Sequence, residues 1–220
     1  PDEIIIFPLF PHYASATNGS VIEEAMDVIK KWWVIPELSF VSQFYNEEFY
    51  LKGFEEKGNA HNFKEYDHIL FSFHGLPERH VDKVYKDGLC KDNDCEHGIN
   101  DENIFCYKAT CYETAIQLAK RFKLKEEDYS VGFQSRLGKG WIEPFSDKII
   151  ADLAKKGAKK LLVFSPAFVA DCLETIIEIG DEYQELFEKY GGEKVQLVES
   201  LNSSETFVHG LKEMIIKRSL

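Results

Sequence analysis

Short apolar runs alternate along the chain with stretches in which apolar residues recur every three or four positions. The runs at 4–9, 38–41, 69–73, 129–133, 160–164 and 195–198 have strand length and are largely apolar at successive positions. Continuous hydrophobicity of this kind predicts strands buried on both faces, as in a parallel sheet. Between them, helical spacing predicts helices over 20–33, 46–57, 107–122, 146–156, 171–190 and 204–217. The first follows Asn18-Gly19-Ser20, has Ser20 and Glu23 at capping-box spacing, and carries Val21, Ile22, Ala25, Val28 and Ile29 at helical intervals. Strand and helix alternating throughout predict an α/β fold of parallel sheets flanked by helices. Ligands in such sheets bind beyond the carboxyl ends of the strands. His74, Gln134-Ser135 and Ser165-Pro166 each follow a predicted strand, so they are expected to share one crevice.

Composition narrows the function classes. The chain has 220 residues, 44% apolar and 29% charged, enough for a substantial core. No apolar run approaches the roughly eighteen residues of a membrane span. No basic start followed by an apolar run and a cleavage site is present, so a cytoplasmic location is expected, with peripheral contact at a membrane surface left open. A net charge of −12 argues against nucleic acid as a partner, because phosphate binding needs a basic surface.

Two features carry candidate chemistry. His74 stands where the run Phe71-Ser72-Phe73 stops, before the bend Gly75-Leu76-Pro77. A solitary histidine is ordinarily structural, but strand-end loops over a sheet are where chemistry usually sits. With a reference pKa of about 6.5, imidazole is the natural proton acceptor near neutrality. The second feature is Glu174, Glu178 and Glu182, spaced to lie along one side of a helix. Like charges at that spacing repel, and a solvated face is the ordinary reading. The apolar residues between them, and the preceding run from Phe164 to Val169, favour a carboxylate row entering a crevice. Such a row can pass a hard cation inward or protons outward.

These segments are similar to motifs of the ferrochelatases. Ser72-Phe73-His74-Gly75-Leu76-Pro77 resembles the family's histidine motif, and 164–182 resembles its metal-site segment, with a Phe, an Asp and the Glu-Thr-x-x-x-Glu pattern in order. The stretch 8–17 resembles its Pro-x-Tyr-Pro-x-Tyr-Ser loop, and Gln134-Ser135 with Trp141-Ile142-Glu143-Pro144 its Trp-Gln-Ser and Trp-x-x-Pro elements. Glu199-Ser200-Leu201-Asn202 resembles a stretch near its C-terminus. The resemblance implies insertion of Fe²⁺ into protoporphyrin IX, or a coproporphyrin, with loss of two protons in heme biosynthesis. It implies two similar parallel-sheet domains clamping the porphyrin, the first one incomplete here. Residues 1–34 would be its remainder, and 35–220 the second domain, with a cysteine-rich insert at 78–111 and a last helix, 204–218, packing back on the first. The family's opening third would precede Pro1.

In this frame His74 is the expected base or metal ligand, paired with Glu174. Glu178 and Glu182 extend the metal or proton route, and Asp171 holds the orientation of His74. Phe168 and Trp141, with Phe10 and Tyr13 of the loop motif, are the expected porphyrin contacts. Many family members carry histidine where this chain has Cys172; the thiol is read as a small buried filler rather than a ligand. The runner-up functions are a related chelatase inserting cobalt into a corrin precursor, and a porphyrin- or iron–sulfur-binding sensor without catalysis.

Four of the five cysteines, Cys90, Cys95, Cys106 and Cys111, fall within a short stretch. Disulfides would need an oxidising compartment, and structural zinc sites usually show tighter pairs. A [2Fe–2S] cluster held by four thiolates tolerates the wider spacing. A bacterial subgroup of ferrochelatases with such a cluster in an internal insert is the one this chain resembles, with zinc as the alternative. His97, between the pairs, is expected to be exposed.

Overall fold

The computed structural model describes residues 1–219. In chain order, β1 (Glu3–Ile6) leads through a π-helical turn at Ser15–Gly19 to α1 (Ser20–Ile29), β2 (Glu37–Phe40), α2 (Glu48–Asn59) and β3 (His68–His74). The short α3 (Glu78–Asp82) opens the cysteine-bearing stretch, which closes on α4 (Tyr107–Phe122). Then follow β4 (Tyr129–Gln134), α5 (Ser146–Lys155), β5 (Lys160–Phe164), α6 (Leu173–Ile176), α7 (Tyr183–Lys189), β6 (Lys194–Leu197) and α8 (Glu205–Arg218).

The strands form two parallel sheets. β1 and β2 pair alone, while the larger sheet has the order β4-β3-β5-β6. Its central strands are buried on both faces. Ile69, Phe71 and Phe73 of β3 and Leu162 and Phe164 of β5 pack under α2 and α4, against Tyr50, Phe54, Ala115 and Leu118. Leu70, Leu161 and Val163 point the other way, toward Ile150 and Ala154 of α5 and Phe187 of α7. Both faces being apolar is why these strands read as unbroken hydrophobic runs. No helix among the described residues is long and apolar enough to cross a membrane.

Three features differ from the sequence reading. β2 pairs with β1, Glu3 opposite Glu37 and Ile6 opposite Phe40, so the strand assigned to the start of the second domain belongs to the first sheet. α1 stops at Ile29, where the chain tightens into i→i+3 bonds from Lys31 N–H to Val28 O and from Trp32 N–H to Ile29 O before it straightens into β2; Trp33 is left fully exposed. The helix expected over 171–190 is broken into α6, a π-helical turn at Glu178–Glu182, and α7. The β-branched Ile176, Ile177 and Ile179 beside Gly180 weaken regular helix there. The wide turn, with Glu182 N–H donating to Ile177 O at 2.9 Å, shifts the phase of all that follows.

α8 lies on α2. A Cβ at Gly210 would fall 2.1 Å from Cγ of Phe49, so only glycine permits this approach. At its end, Arg218 Nη1 donates to the carbonyl of Phe40 in β2 at 3.3 Å. The centre of the core is Phe164, fully buried and packed on Phe71 and Phe122 with ring centroids at 5.2 and 5.3 Å. Phe164→Ala is expected to cost about 3–5 kcal/mol of stability in urea unfolding; a loss below about 1 kcal/mol would contradict this packing.

Candidate functional site

The carboxyl ends of β3 and β4 lie side by side, His74 in register with Gln134. Gly75 N–H donates to Gln134 O at 2.8 Å, and a Cβ on residue 75 would stand 2.8 Å from that same oxygen. Glycine is therefore required where the chain leaves the sheet. Tyr107, the first residue of α4, donates its hydroxyl to the His74 carbonyl at 2.9 Å. The imidazole is held within its own turn, Nδ1 lying 2.6 Å from Gly75 O. A carbonyl can only accept, so Nδ1 carries the proton, and the tautomer this fixes has its lone pair on Nε2.

Gln134 ties this strand end to the acidic segment. Its Oε1 accepts from Ser72 Oγ at 2.7 Å, and its Nε2 donates to the Glu174 carbonyl at 2.8 Å. The next residue, Ser135, has φ +59°, the left-handed region that a serine adopts only when its surroundings impose it. The constraint is Glu178, whose carboxylate accepts from Ser135 N at 2.8 Å and from its hydroxyl, and from Tyr183 OH at 3.1 Å. The three glutamates thus part company. Glu174 faces the cavity beside His74, Glu178 braces the β4 turn, and Glu182 is exposed on the surface. The π-helical turn lies between Glu178 and Glu182.

The cavity has a volume of about 450 Å³. His74 and Glu174 share it with Trp141, Phe168, Phe10 and His12; Tyr13 instead lines an adjoining cavity of about 300 Å³. The His74 ring lies 6.0 Å from Phe168 and 6.5 Å from Trp141, centroid to centroid. The carboxyl of Glu174 is held below its ordinary range by its own backbone N–H and then by the Cys172 thiol, against a smaller opposing effect of burial. Glu174 is accordingly ionised at neutral pH. A larger cavity, about 610 Å³, lies between α2 and α8. Its charged lining of Glu47, Glu48, Lys52, Glu213 and Lys217 holds none of the sequence-identified residues, and we assign it no chemistry.

Two expected roles change. Asp171 does not touch His74. It accepts from Asn202 Nδ2 at 2.8 Å and Ser200 N at 3.1 Å, joining the start of the acidic segment to the loop after β6. Cys172 is half-buried rather than buried, and its thiol pKa is raised by burial and then by the neighbouring Glu174, so it is more than filler. Sequence reasoning missed His12, which is 2% exposed and ringed by Tyr45, Tyr50, Phe73 and Tyr107. Burial lowers its pKa to about 3, and its Nε2 meets Thr114 Oγ1 at 2.9 Å. The only available signal was its place inside the loop motif.

The structure gathers three of the four clustered cysteines. Cys90, Cys95 and Cys106 are buried with sulfurs mutually close enough to hold a metal ion. Cys111, also buried, is outside the group. A [2Fe–2S] cluster takes four thiolates, and the residues as placed do not fit it. His97 is exposed and pairs with Asp94.

Comparison with known proteins follows the same line. The family model described as Ferrochelatase matches residues 1–219. The ferrochelatase of Legionella pneumophila (strain Lens) is 40% identical over 213 residues, 96% of this chain and 63% of that protein. That of Pseudomonas fluorescens (strain Pf0-1) is 42% identical over 212 residues, 94% and 62% respectively. The chain thus spans somewhat under two thirds of the length of these relatives. In fold it is similar to SirB from Bacillus subtilis with Fe³⁺, with a TM-score of 0.62 and 13% identity, covering 98% of this chain and 71% of that one.

Asp171 supplies a test of the site's frame. Burial pushes its carboxyl up, but the hydrogen bonds from Asn202 and Ser200 outweigh this and hold it below the ordinary aspartate value. A depressed folded pKa stabilises above the unfolded value, about 3.9, and that contribution is lost as pH falls through the lower folded value. The stability difference between wild type and Asp171→Asn, measured by urea unfolding, should be full near neutrality and shrink below about pH 4. A difference independent of pH would contradict the assignment.

Proposed function

Because this chain belongs to the ferrochelatase family, we propose that the protein of which it forms part inserts Fe²⁺ into a porphyrin, protoporphyrin IX ahead of a coproporphyrin, releasing two protons. The observation that carries this reading is the pairing, in one aromatic-walled cavity, of a histidine with a bare Nε2 and an ionised glutamate.

The reaction replaces two pyrrole N–H bonds by bonds to iron, leaving each nitrogen's electron pair for the metal. Nε2 of His74 takes one pyrrole proton, the resulting imidazolium is balanced by the Glu174 carboxylate, and once that proton has passed to solvent the same nitrogen takes the second. General-base help of this kind is typically worth about 10²–10⁴ in rate. Glu174, with its ordinary charge and partial exposure, attracts the ferrous ion to the same side of the ring. Gln134 positions it through the backbone carbonyl, and the Cys172 thiol through the carboxylate. Glu178 acts as a brace for Ser135 and α6, and Glu182, exposed at the surface and outside the cavity lining, takes no part in the step. Trp141 and Phe168 offer broad faces to a flat apolar ligand, and Phe10 and Tyr13 border the same region. Among the described residues no insert cysteine lines the cavity.

In the full-length protein, His74→Ala is expected to lower the rate of ferrous-ion insertion by about 10²–10⁴ while leaving porphyrin binding, followed by quenching of porphyrin fluorescence, largely intact. Near-wild-type turnover in that variant would remove His74 from the chemistry.

A further inference from the structure

Three thiols outside the cavity form a nearly equilateral triangle. The Sγ atoms of Cys90 and Cys106 are 3.6 Å apart, those of Cys90 and Cys95 3.7 Å, and those of Cys95 and Cys106 3.8 Å. With metal–sulfur bonds of about 2.3 Å, the edge of a tetrahedron is about 3.8 Å. One ion can therefore bond all three sulfurs without moving the backbone. In a [2Fe–2S] centre each iron takes only two protein thiolates, so a third sulfur must stand well beyond one tetrahedral edge from at least one of the others.

The fourth cysteine adds to the disagreement. Cys106 caps α4 and Cys111 lies five residues further on, roughly 7 Å along the helix and about 140° around it. Cys111 is fully buried in the main core cluster. Joining it to the others would require unwinding the start of α4, whose Tyr107 holds the His74 carbonyl. No fourth His, Cys, Asp or Glu among the described residues completes the group.

The surrounding backbone is already set. Cys90 N–H donates to Asp82 Oδ1 at 2.9 Å and Cys106 N–H to Asn103 O at 2.8 Å. Asn103, 1% exposed, donates to Gly98 O and accepts from Asn100 N. Tyr85 OH lies 2.9 Å from Cys95 Sγ, where it can donate to a thiolate as outer-shell partners of metal ligands do. A cleft of about 270 Å³ opens beside Cys90, a path for solvent.

We propose that Cys90, Cys95 and Cys106 bind a single thiophilic divalent cation, zinc in preference to ferrous iron, with water as the fourth ligand and Cys111 outside the ligand set. Three soft thiolates in tetrahedral array suit either ion, and zinc binds such a set more strongly than ferrous iron. The ion clips the stretch after α3 to the start of α4, and so supports the helix end that anchors His74.

The test uses the full-length protein. Metal and acid-labile sulfide are measured after purification, and again after removal of metal and reloading with zinc or with cobalt as a spectroscopic probe. Expected are one metal per chain, no sulfide, and tetrahedral cobalt–thiolate absorption. Cys111→Ser should keep that stoichiometry, while Cys90→Ser should drop it from one to none. Two irons and two sulfides per chain, lost equally in both variants, would overturn the proposal, as would failure of the wild-type protein to take up zinc or cobalt. Where a variant does not fold, the wild-type stoichiometry and cobalt spectrum decide alone, and neither readout depends on porphyrin metallation.

Discussion

Everything at the cavity hangs on how the chain leaves β3. Parallel pairing puts His74 opposite Gln134, and Gly75 donates back to the Gln134 carbonyl before the chain turns away. That turn brings the Gly75 carbonyl under the imidazole it follows, close enough to take the Nδ1 proton. A hydrogen bond inside one dipeptide thus decides which histidine nitrogen faces the cavity with a lone pair. Without it the ring could rotate or exchange tautomers, and the Glu174 carboxylate would have no defined base beside it.

The same strand pair governs the acidic segment through Gln134. Its amide spans from Ser72 on the neighbouring strand to the Glu174 carbonyl, so the sheet edge and α6 move as one piece. Ser135 occupies a backbone region costly for a non-glycine residue, and the Glu178 carboxylate, bonded to both its N–H and its hydroxyl, compensates. A carboxylate that seemed placed to carry cations is instead spent on shaping the turn. The cavity is left with one carboxylate, Glu174, beside His74.

Much of this was legible in the residues. The strand runs around Phe71, Val131 and Leu162 located the larger sheet because both its faces are covered, and strand-end logic placed His74 and Gln134 together. The resemblance to a known family added Trp141 and Phe168 and paired Glu174 with His74. Periodicity failed where backbone geometry departs from the ideal: counting by fours cannot anticipate a π-helical turn, so Glu178 and Glu182 were set on the stripe of Glu174. Pairwise spacing likewise could not show that Cys111 sits around the helix from Cys106, or that Asp171 turns toward Asn202. The boundary drawn at residue 34 separated β2 from β1, with which it pairs, because a short apolar run says nothing about which edge it will join. His12 was invisible for a different reason, since the aromatic shell that buries it comes from residues far apart in the chain.

The central claim is that His74 offers a proton-free Nε2 to the cavity, its Nδ1 proton held by Gly75. Long-range proton–nitrogen correlation spectroscopy on protein with isotope-labelled histidine reads this tautomer directly at neutral pH. The account predicts a protonated, pyrrole-type Nδ1 and an unprotonated, pyridine-type Nε2 for His74. The reverse tautomer, or a ring averaging between the two, would contradict it.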